Sequence, residues 1–73
     1  MFAWRRTAVR KRVVVNLQDK AFRGILWAKR GPLLVLRDAE LLEPGRQAQP
    51  VDGEIVIERK KVEFTQVLAG GGG

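Results

Sequence analysis

Short runs of β-branched and apolar residues follow one another along the chain, with turn-forming residues between them. Strands are predicted at residues 12–17, 21–29, 33–42, 53–58 and 62–68. The stretch between the third and fourth strands is polar, contains two prolines and a glycine, and is predicted to be a long loop. A sheet this small hides its apolar face only by curling, so the pattern predicts an all-β, strongly bent five-stranded barrel.

Gly24 stands in the middle of the second predicted strand, where glycine adds no side chain to a core and weakens the strand. Strict alternation places Phe22, Leu26 and Ala28 on the same face as Gly24. The opposite face then carries Arg23, Ile25, Trp27 and Lys29. A glycine in this position predicts a sharp bend at a corner of the barrel and a space for the facing layer.

The amino-acid composition excludes most kinds of catalytic site. The chain contains no cysteine and no histidine, so disulfides, thiolate or imidazole metal sites, catalytic triads and histidine proton transfer lack their reagents. Its eight acidic residues are scattered over turns and exposed strand positions, with no pair set for acid–base catalysis. The sequence predicts a protein that is not an enzyme and uses no cofactor or metal. A chain of 73 residues forms only a small core, so self-association is the expected source of added stability.

Positive charge is concentrated at the start of the chain. The net charge is +6, and residues 1–12 combine five cations with no acid: Arg5, Arg6, Arg10, Lys11 and Arg12. Residues 1–12 are predicted to form a basic arm or a short helix, residues 13–68 the barrel, and residues 69–73 a flexible glycine-rich tail. Such a cluster attracts nucleic-acid phosphates or acidic protein surfaces, unless it is only a solvated terminus.

Two segments resemble a known family. VVVNLQDKAFRGILW followed by LLVLRDAEL is similar to the first motif of the Sm and Sm-like proteins, and GEIVIERKKVEFTQVL is similar to their second motif. The resemblance covers residues 13–68 and implies a short N-terminal helix on a bent five-stranded SH3-like (Sm-like) barrel. It also implies a ring of identical subunits, commonly six or seven, in which the fourth strand of one subunit pairs with the fifth strand of the next. The alternative is a monomeric SH3-like barrel with charged edges.

The chain departs from the family at the positions that read RNA. Family members that bind uridine place an aspartate and an asparagine between the second and third strands, and an arginine–glycine pair between the fourth and fifth. Here the acidic position falls on Lys29 or Arg30, the asparagine position on Leu33, and the glycine position on Arg59 or Lys60. The base-specific site of the family is therefore not expected in this chain.

Basic residues are concentrated in the two turns where family members carry the residues that recognise uridine. If a ring forms, the basic side chains of the two turns are expected to converge on its pore and bind phosphates without reading bases. These side chains are Lys29, Arg30, Arg59, Lys60 and Lys61. Trp27 precedes the first of the two turns, where it either stacks on a base or packs in the core or an interface.

Two functions follow from this pattern. The first is a ring-forming structural or assembly module, for example beside the portal or connector of a phage particle, that contacts a nucleic-acid backbone or an acidic protein partner. The alternative is an RNA-binding Sm-like ring that acts as an RNA chaperone or regulator. No apolar run reaches the roughly 20 residues of a membrane span, so no membrane partner is expected. The expected location is the cytoplasm or a virion.

Overall fold

The computed structural model describes the backbone of residues 6–68 and the side chains of residues 10–68. Within this range the chain forms six strands and a single-turn 3₁₀ helix at Arg59–Lys61. The strands are β1 (Arg6–Asn16), β2 (Ala21–Arg30), β3 (Leu33–Leu42), β4 (Gln49–Val51), β5 (Ile55–Glu58) and β6 (Phe64–Val67). The all-β prediction is confirmed.

All six described strands belong to one antiparallel sheet, in the order β4-β3-β2-β1-β6, with β5 also paired to β3. β4 pairs with Ala39–Leu41 of β3, and β5 pairs with Leu33–Leu36 of the same strand. β4 and β5 therefore follow one another along one side of β3, because β2 occupies the other side. β6 lies at the far edge of the sheet, beside β1. No pairing joins β5 to β6 among the described residues, so the sheet curls without closing.

The core lies on the concave face of the curled sheet. It is an all-apolar cluster to which four strands contribute: Val13, Val15, Leu26, Leu34, Leu36, Ala39 and Ile57. Half-buried apolar side chains pack around it: Leu17, Phe22, Ile55 and Val62. β1 supplies alternate residues to the cluster, as the period of two in a pleated strand requires, whereas in β3 a register shift separates Leu36 from Ala39.

Gly24 lies where two neighbouring backbones approach each other closely. A Cβ atom at this position would be 2.9 Å from the Ala39 Cα atom and 2.9 Å from the Arg37 carbonyl oxygen. Arg23 pairs with Glu40 but Ile25 pairs with Arg37, so Gly24 alone faces two residues of β3. This is a β-bulge, and Asp38 within it has a φ of 50°, in the left-handed region. A bulge in β3 thus lies opposite the residue where a bend is predicted, and the space beside Gly24 is filled by the adjacent strand rather than by a facing layer.

Two further bulges bend β1 and β2 within the described sheet. Leu26 pairs with Leu36 and Ala28 with Val35, so Trp27 is an extra residue in β2. Opposite Trp27, β1 also contains an extra residue, and Arg10 there has a φ of 132°. The bulge at Trp27 changes the face of the sheet on which the next residues of β2 lie. Lys29 lines the same groove as Leu26 instead of pointing to the opposite side. Ala28 is buried, but outside the core cluster.

The start of the chain differs from prediction. From Arg6 to Arg12 the backbone is already strand β1, not a helix, and residues 1–5 lie outside the described range. Thr7 pairs with Lys29 and Ala8 pairs with Ala28, so the end of β2 provides backbone partners for this segment. This segment forms a strand rather than a helix because it pairs with β2, whereas an isolated helix of so few residues is unstable in water.

The second half of the chain contains one strand that was not predicted, β4, and the bounds of the strands after it differ from prediction. β4 lies within the stretch predicted as a long loop, and β5 begins at Ile55 rather than at Gly53. Pro50 is tolerated in β4 because β4 pairs with β3 on one side only, and a proline at a sheet edge loses no bond on its free side. The predicted turn at residues 59–61 is the 3₁₀ helix, and the last strand is Phe64–Val67 rather than residues 62–68.

Candidate functional site

β5 and β6 each have a backbone edge without a partner in the described structure. β5 pairs with β3 alone, and β6 pairs with β1 alone. The N–H and C=O groups on the free side of each strand therefore point away from the sheet. Unpaired strand edges are templates for pairing with another chain. These strands correspond to the fourth and fifth predicted strands, which the Sm resemblance pairs between subunits.

The apolar side chains on these edges make them unusual. Among the described residues, the large hydrophobic side chains classed as exposed are Val56, Phe64 and Val67, with relative exposures of 55%, 56% and 60%. Val56 belongs to β5, and the other two belong to β6. A free edge in a monomeric protein is ordinarily protected by charge, proline or a covering segment. Here both edges expose apolar surface, which is typical of an interaction site.

A groove runs along the concave face beside β6, where the sheet fails to close. Its cavity volume is about 420 Å³. Buried core residues form its floor: Val13, Leu26 and Leu34. Val67 and Phe64 of β6 form one wall, so the exposed apolar side chains continue directly into the groove.

The rim of this groove is cationic. Lys11, Lys29 and Arg59 line it, and no acidic side chain does so in the described part of the chain. The backbone N–H of Arg59 donates a 2.8 Å hydrogen bond to the carbonyl oxygen of Pro32, which places the 3₁₀ helix against the turn after β2. The turn after β2 and the 3₁₀ helix are therefore adjacent in the structure.

The five cations of these turns do not converge on one point. Lys29 and Arg59 share the groove, whereas Lys60 and Lys61 line a different cavity beside the Leu17–Lys20 loop. Both lysines also lie near the carboxylate of Glu58, at 3.9 Å and 3.4 Å. Arg30 is exposed at the end of β2. The single basic cluster expected from the sequence is divided between two surfaces within one chain.

The basic residues at the start of the chain also point in different directions. Arg5 lies outside the described residues, and the structure describes the backbone but not the side chain of Arg6. Arg10 is stacked on Trp27, Lys11 lines the groove, and Arg12 lines a shallow pocket beside Arg23 and Glu40. Lys11 stands two residues before the core residue Val13, and this spacing is the sequence signal that places it on the concave face.

The indole of Trp27 lies between two guanidinium groups on the convex face. The Cζ atom of Arg10 is 3.6 Å from the ring centre, and that of Arg37 is 4.4 Å from it. Two guanidiniums at these distances are too large to share one face, so each covers one side of the ring. Arg10 Nη1 also donates a 2.7 Å hydrogen bond to the Trp27 carbonyl oxygen. A nucleic-acid base reaches this ring only by displacing an arginine, and base stacking stays a prediction.

The stack continues to β5. Arg37 Nη2 lies 2.6 Å from Glu54 Oε2, so Arg10, Trp27, Arg37 and Glu54 form a row across the sheet from β1 to the residue before β5. Cation–π contacts at exposed positions contribute about 0.5–1 kcal/mol each. The row therefore stabilises the bent part of the sheet, a role that the sequence did not indicate for Arg37.

Arg10 makes these contacts in an unfavourable backbone conformation with a positive φ, and this gives a testable prediction. Arg10→Ala loses the stack and the hydrogen bond but keeps the φ of 132°, whereas Arg10→Gly loses the same contacts and relieves the strain. We expect Arg10→Gly to be the more stable variant, by about 1 kcal/mol. Urea unfolding of both variants measures this difference. Equal stability, or a more stable alanine variant, would show that the backbone at this bulge is unstrained.

Three of the described acidic side chains form ion pairs, and the other described acidic residues are dispersed along the chain. Glu40 pairs with Arg23, Glu54 with Arg37, and Glu58 with the two lysines of the 3₁₀ helix. Within residues 6–68 the structure contains no cluster of acidic side chains suited to a metal ion. Likewise, none of the helical structure described has the length and apolar character needed to span a membrane.

No protein-family model matches this chain, and no curated protein sequence and no solved structure is significantly similar to it. The function therefore has to be inferred from the two free edges, the groove and the distribution of charge.

Proposed function

We propose that this chain is a non-enzymatic subunit of a ring-forming, Sm-like assembly, which serves as a structural or assembly module. The observation that carries the proposal is the position of the exposed apolar side chains. Val56, Phe64 and Val67 all lie on β5 and β6, and each of these strands has an unpaired edge in the described structure. Pairing these edges between copies would satisfy the free backbone groups and bury the apolar side chains together.

The two edges are different, which determines the type of assembly. β5 and β6 lie at opposite edges of the sheet, so contact between β5 of one copy and β6 of the next is head-to-tail. Such contacts generate a ring when the rotation between copies closes, and a filament when it does not. The similarity of residues 13–68 to the Sm motifs favours a ring, of six or seven subunits or another number.

The assembly would carry many positive charges on its surface. Lys60 and Lys61 are exposed on the 3₁₀ helix, away from the groove, and are repeated once in every subunit. Lysine binds phosphates without reading bases, so this surface suits a nucleic-acid backbone or an acidic protein. A cationic ring without base-reading groups supports a structural role, for instance within a phage particle, over an RNA chaperone or regulator.

Native mass spectrometry and sedimentation of the full-length chain test the ring. We expect one predominant species whose mass is an integer multiple of the 8.2 kDa subunit, with the same stoichiometry over a range of concentrations. A closed ring gives this result because it has no free edges to extend. A species of 8.2 kDa at all concentrations, or a ladder of masses that grows with concentration, would contradict the proposal.

Polyanion binding tests the basic surface. We expect the assembly to bind oligo-U, oligo-A and duplex DNA with similar affinity, and to lose binding as salt is added. Lys60→Glu with Lys61→Glu should weaken binding at least tenfold, because the change recurs in every subunit. Fluorescence anisotropy with labelled oligonucleotides measures both effects.

The matched control for this experiment is Arg46→Glu with Gln47→Glu and Ala48→Glu, which lowers the net charge by the same amount at three exposed loop positions away from the cavity of Lys60 and Lys61. This control should bind more tightly than the Lys60 and Lys61 variant. Equal losses would show that only the total charge matters. A strong preference for oligo-U that survives added salt would favour the RNA chaperone or regulator instead.

A further inference from the structure

Among the residues that the structure describes, the cationic rim of the groove has no acidic partner. Lys11, Lys29 and Arg59 surround an apolar floor, and all three side chains are exposed. Three like charges around one groove repel one another unless an anion lies between them. The complementary occupant is therefore both apolar and acidic.

β5 has a face with this chemistry. Glu54, Val56 and Glu58 are exposed, while Ile55 and Ile57 between them are half-buried or buried against the core. Because side chains alternate along a strand, the two carboxylates lie on either side of the exposed valine, on the same face. Their relative exposures are 42% and 48%, so each remains accessible although it already forms an ion pair within the chain. A carboxylate has two oxygens and can accept from a second cation.

We propose that the groove of one copy receives the exposed face of β5 from a second copy. Val56 would pack against the apolar floor, and Glu54 and Glu58 would pair with the cationic rim. This inference rests on the proposed self-association and adds the groove and its charges to the edge contact. Opposite charges on the two surfaces would fix which strand of the partner docks, because β6 carries no acidic residue between Phe64 and Val67.

The inference changes the role expected for Lys29 and Arg59. In the sequence prediction these residues line a pore and bind nucleic acid, whereas here they are neutralised at the contact between subunits. Lys60 and Lys61 remain on the outside for polyanions. Self-association then becomes sensitive to salt, since the contact contains partly exposed charge pairs that screening weakens.

Sedimentation of the unmodified chain at about 0.05 M and about 0.5 M sodium chloride tests the salt dependence without a mutation. We expect the dissociation constant for self-association to rise roughly tenfold at the higher concentration. Equal or tighter association at the higher concentration would overturn the charged docking while leaving the proposed assembly intact. A chain that is monomeric in both solutions would instead refute the assembly itself.

An exchange of charges between the two surfaces is the sharper test. The first variant carries Lys11→Glu with Lys29→Glu in the groove, and the second carries Glu54→Lys with Glu58→Lys on β5. Each variant alone sets like charges against each other and should associate at least tenfold more weakly than the unmodified chain. In an equimolar mixture, each contact between one variant and the other restores opposite charges, so association between the two variants should reappear.

The control is Lys20→Glu with Arg46→Glu, which alters net charge outside the groove and should associate like the unmodified chain. Circular dichroism verifies that each variant keeps its strands. Failure of the mixture to assemble, or undiminished assembly of each variant alone, would overturn the docking of β5 in the groove. If the variants stay assembled but stop binding a synthetic acidic and apolar peptide, the groove binds a different protein instead of a second copy, which also overturns the inference.

Discussion

Replacing Gly24 with valine is expected to lower the free energy of unfolding by about 3 kcal/mol or more, enough to unfold much of a domain this small. The new side chain would meet the backbone of β3, which cannot rotate away as a flexible side chain can: the Ala39 Cα atom and the Arg37 carbonyl oxygen are each 2.9 Å from the first added carbon. Even Gly24→Ala should be clearly destabilising for this reason. Urea unfolding followed by circular dichroism measures both variants.

Gly53→Ala is the control for this substitution. Gly53 has a φ of 79°, but a Cβ atom there has no neighbour within 4 Å, so the control measures backbone strain without crowding. We expect it to cost about 1 kcal/mol, less than either Gly24 variant. If Gly24→Val is as stable as the unmodified chain, the backbones at the β3 bulge are not held together as the structure shows.

Removing the apolar side chains from the two edges is expected to abolish self-association without unfolding the chain. In Val56→Asn with Phe64→Asn, both altered side chains are more than half exposed in the single subunit, so the free energy of unfolding of the monomer should change by less than about 1 kcal/mol. The contact between copies loses apolar surface on both sides, and its dissociation constant should rise about a hundredfold or more. Light scattering after size-exclusion chromatography measures the mass.

Gln47→Asn with Ala48→Asn serves as the matched control, because both residues are exposed and lie in the loop before β4, outside β5 and β6. This control should keep the mass of the unmodified protein. An assembly that survives the loss of Val56 and Phe64 side chains would mean that its contacts lie elsewhere on the chain.

The parts of the fold that the sequence predicts best are those with regular alternation between turn residues. β3 has the predicted bounds, and β2 extends only one residue beyond them, because Gly31 and Pro32 separate these strands. The concave positions from Phe22 to Leu26 are confirmed as well. Here local pattern and tertiary pairing agree.

The errors arise where pairing overrides local pattern. Residues 6–10 have no apolar alternation, yet they form a strand because the end of β2 pairs with them. β4 was missed because its proline and polar neighbours are typical of loops, and only its place at a sheet edge makes it a strand. In both cases the deciding contact is made by residues distant in the sequence.

The bulges explain why the candidate site was only partly predicted. One extra residue at Trp27 moves Lys29 from the convex to the groove side, and no local pattern reveals a bulge of this kind. The two basic turns are adjacent in the structure, but the division of their side chains between the groove and the surface of Lys60 and Lys61 depends on that shift. The arginine stack on Trp27 depends on the opposing bulge in β1 and was likewise hidden.

Hydrogen–deuterium exchange at the amides of β5 and β6 tests most directly whether the free edges pair between copies. Each strand has one bonded side in a single subunit, so the amides that point to the free side should exchange rapidly when the chain is dilute and monomeric. At concentrations where the assembly forms, we expect these amides to become protected at Val56–Glu58 and Thr65–Val67 together. Amides on the free sides that exchange equally fast in both states would contradict the pairing of these edges.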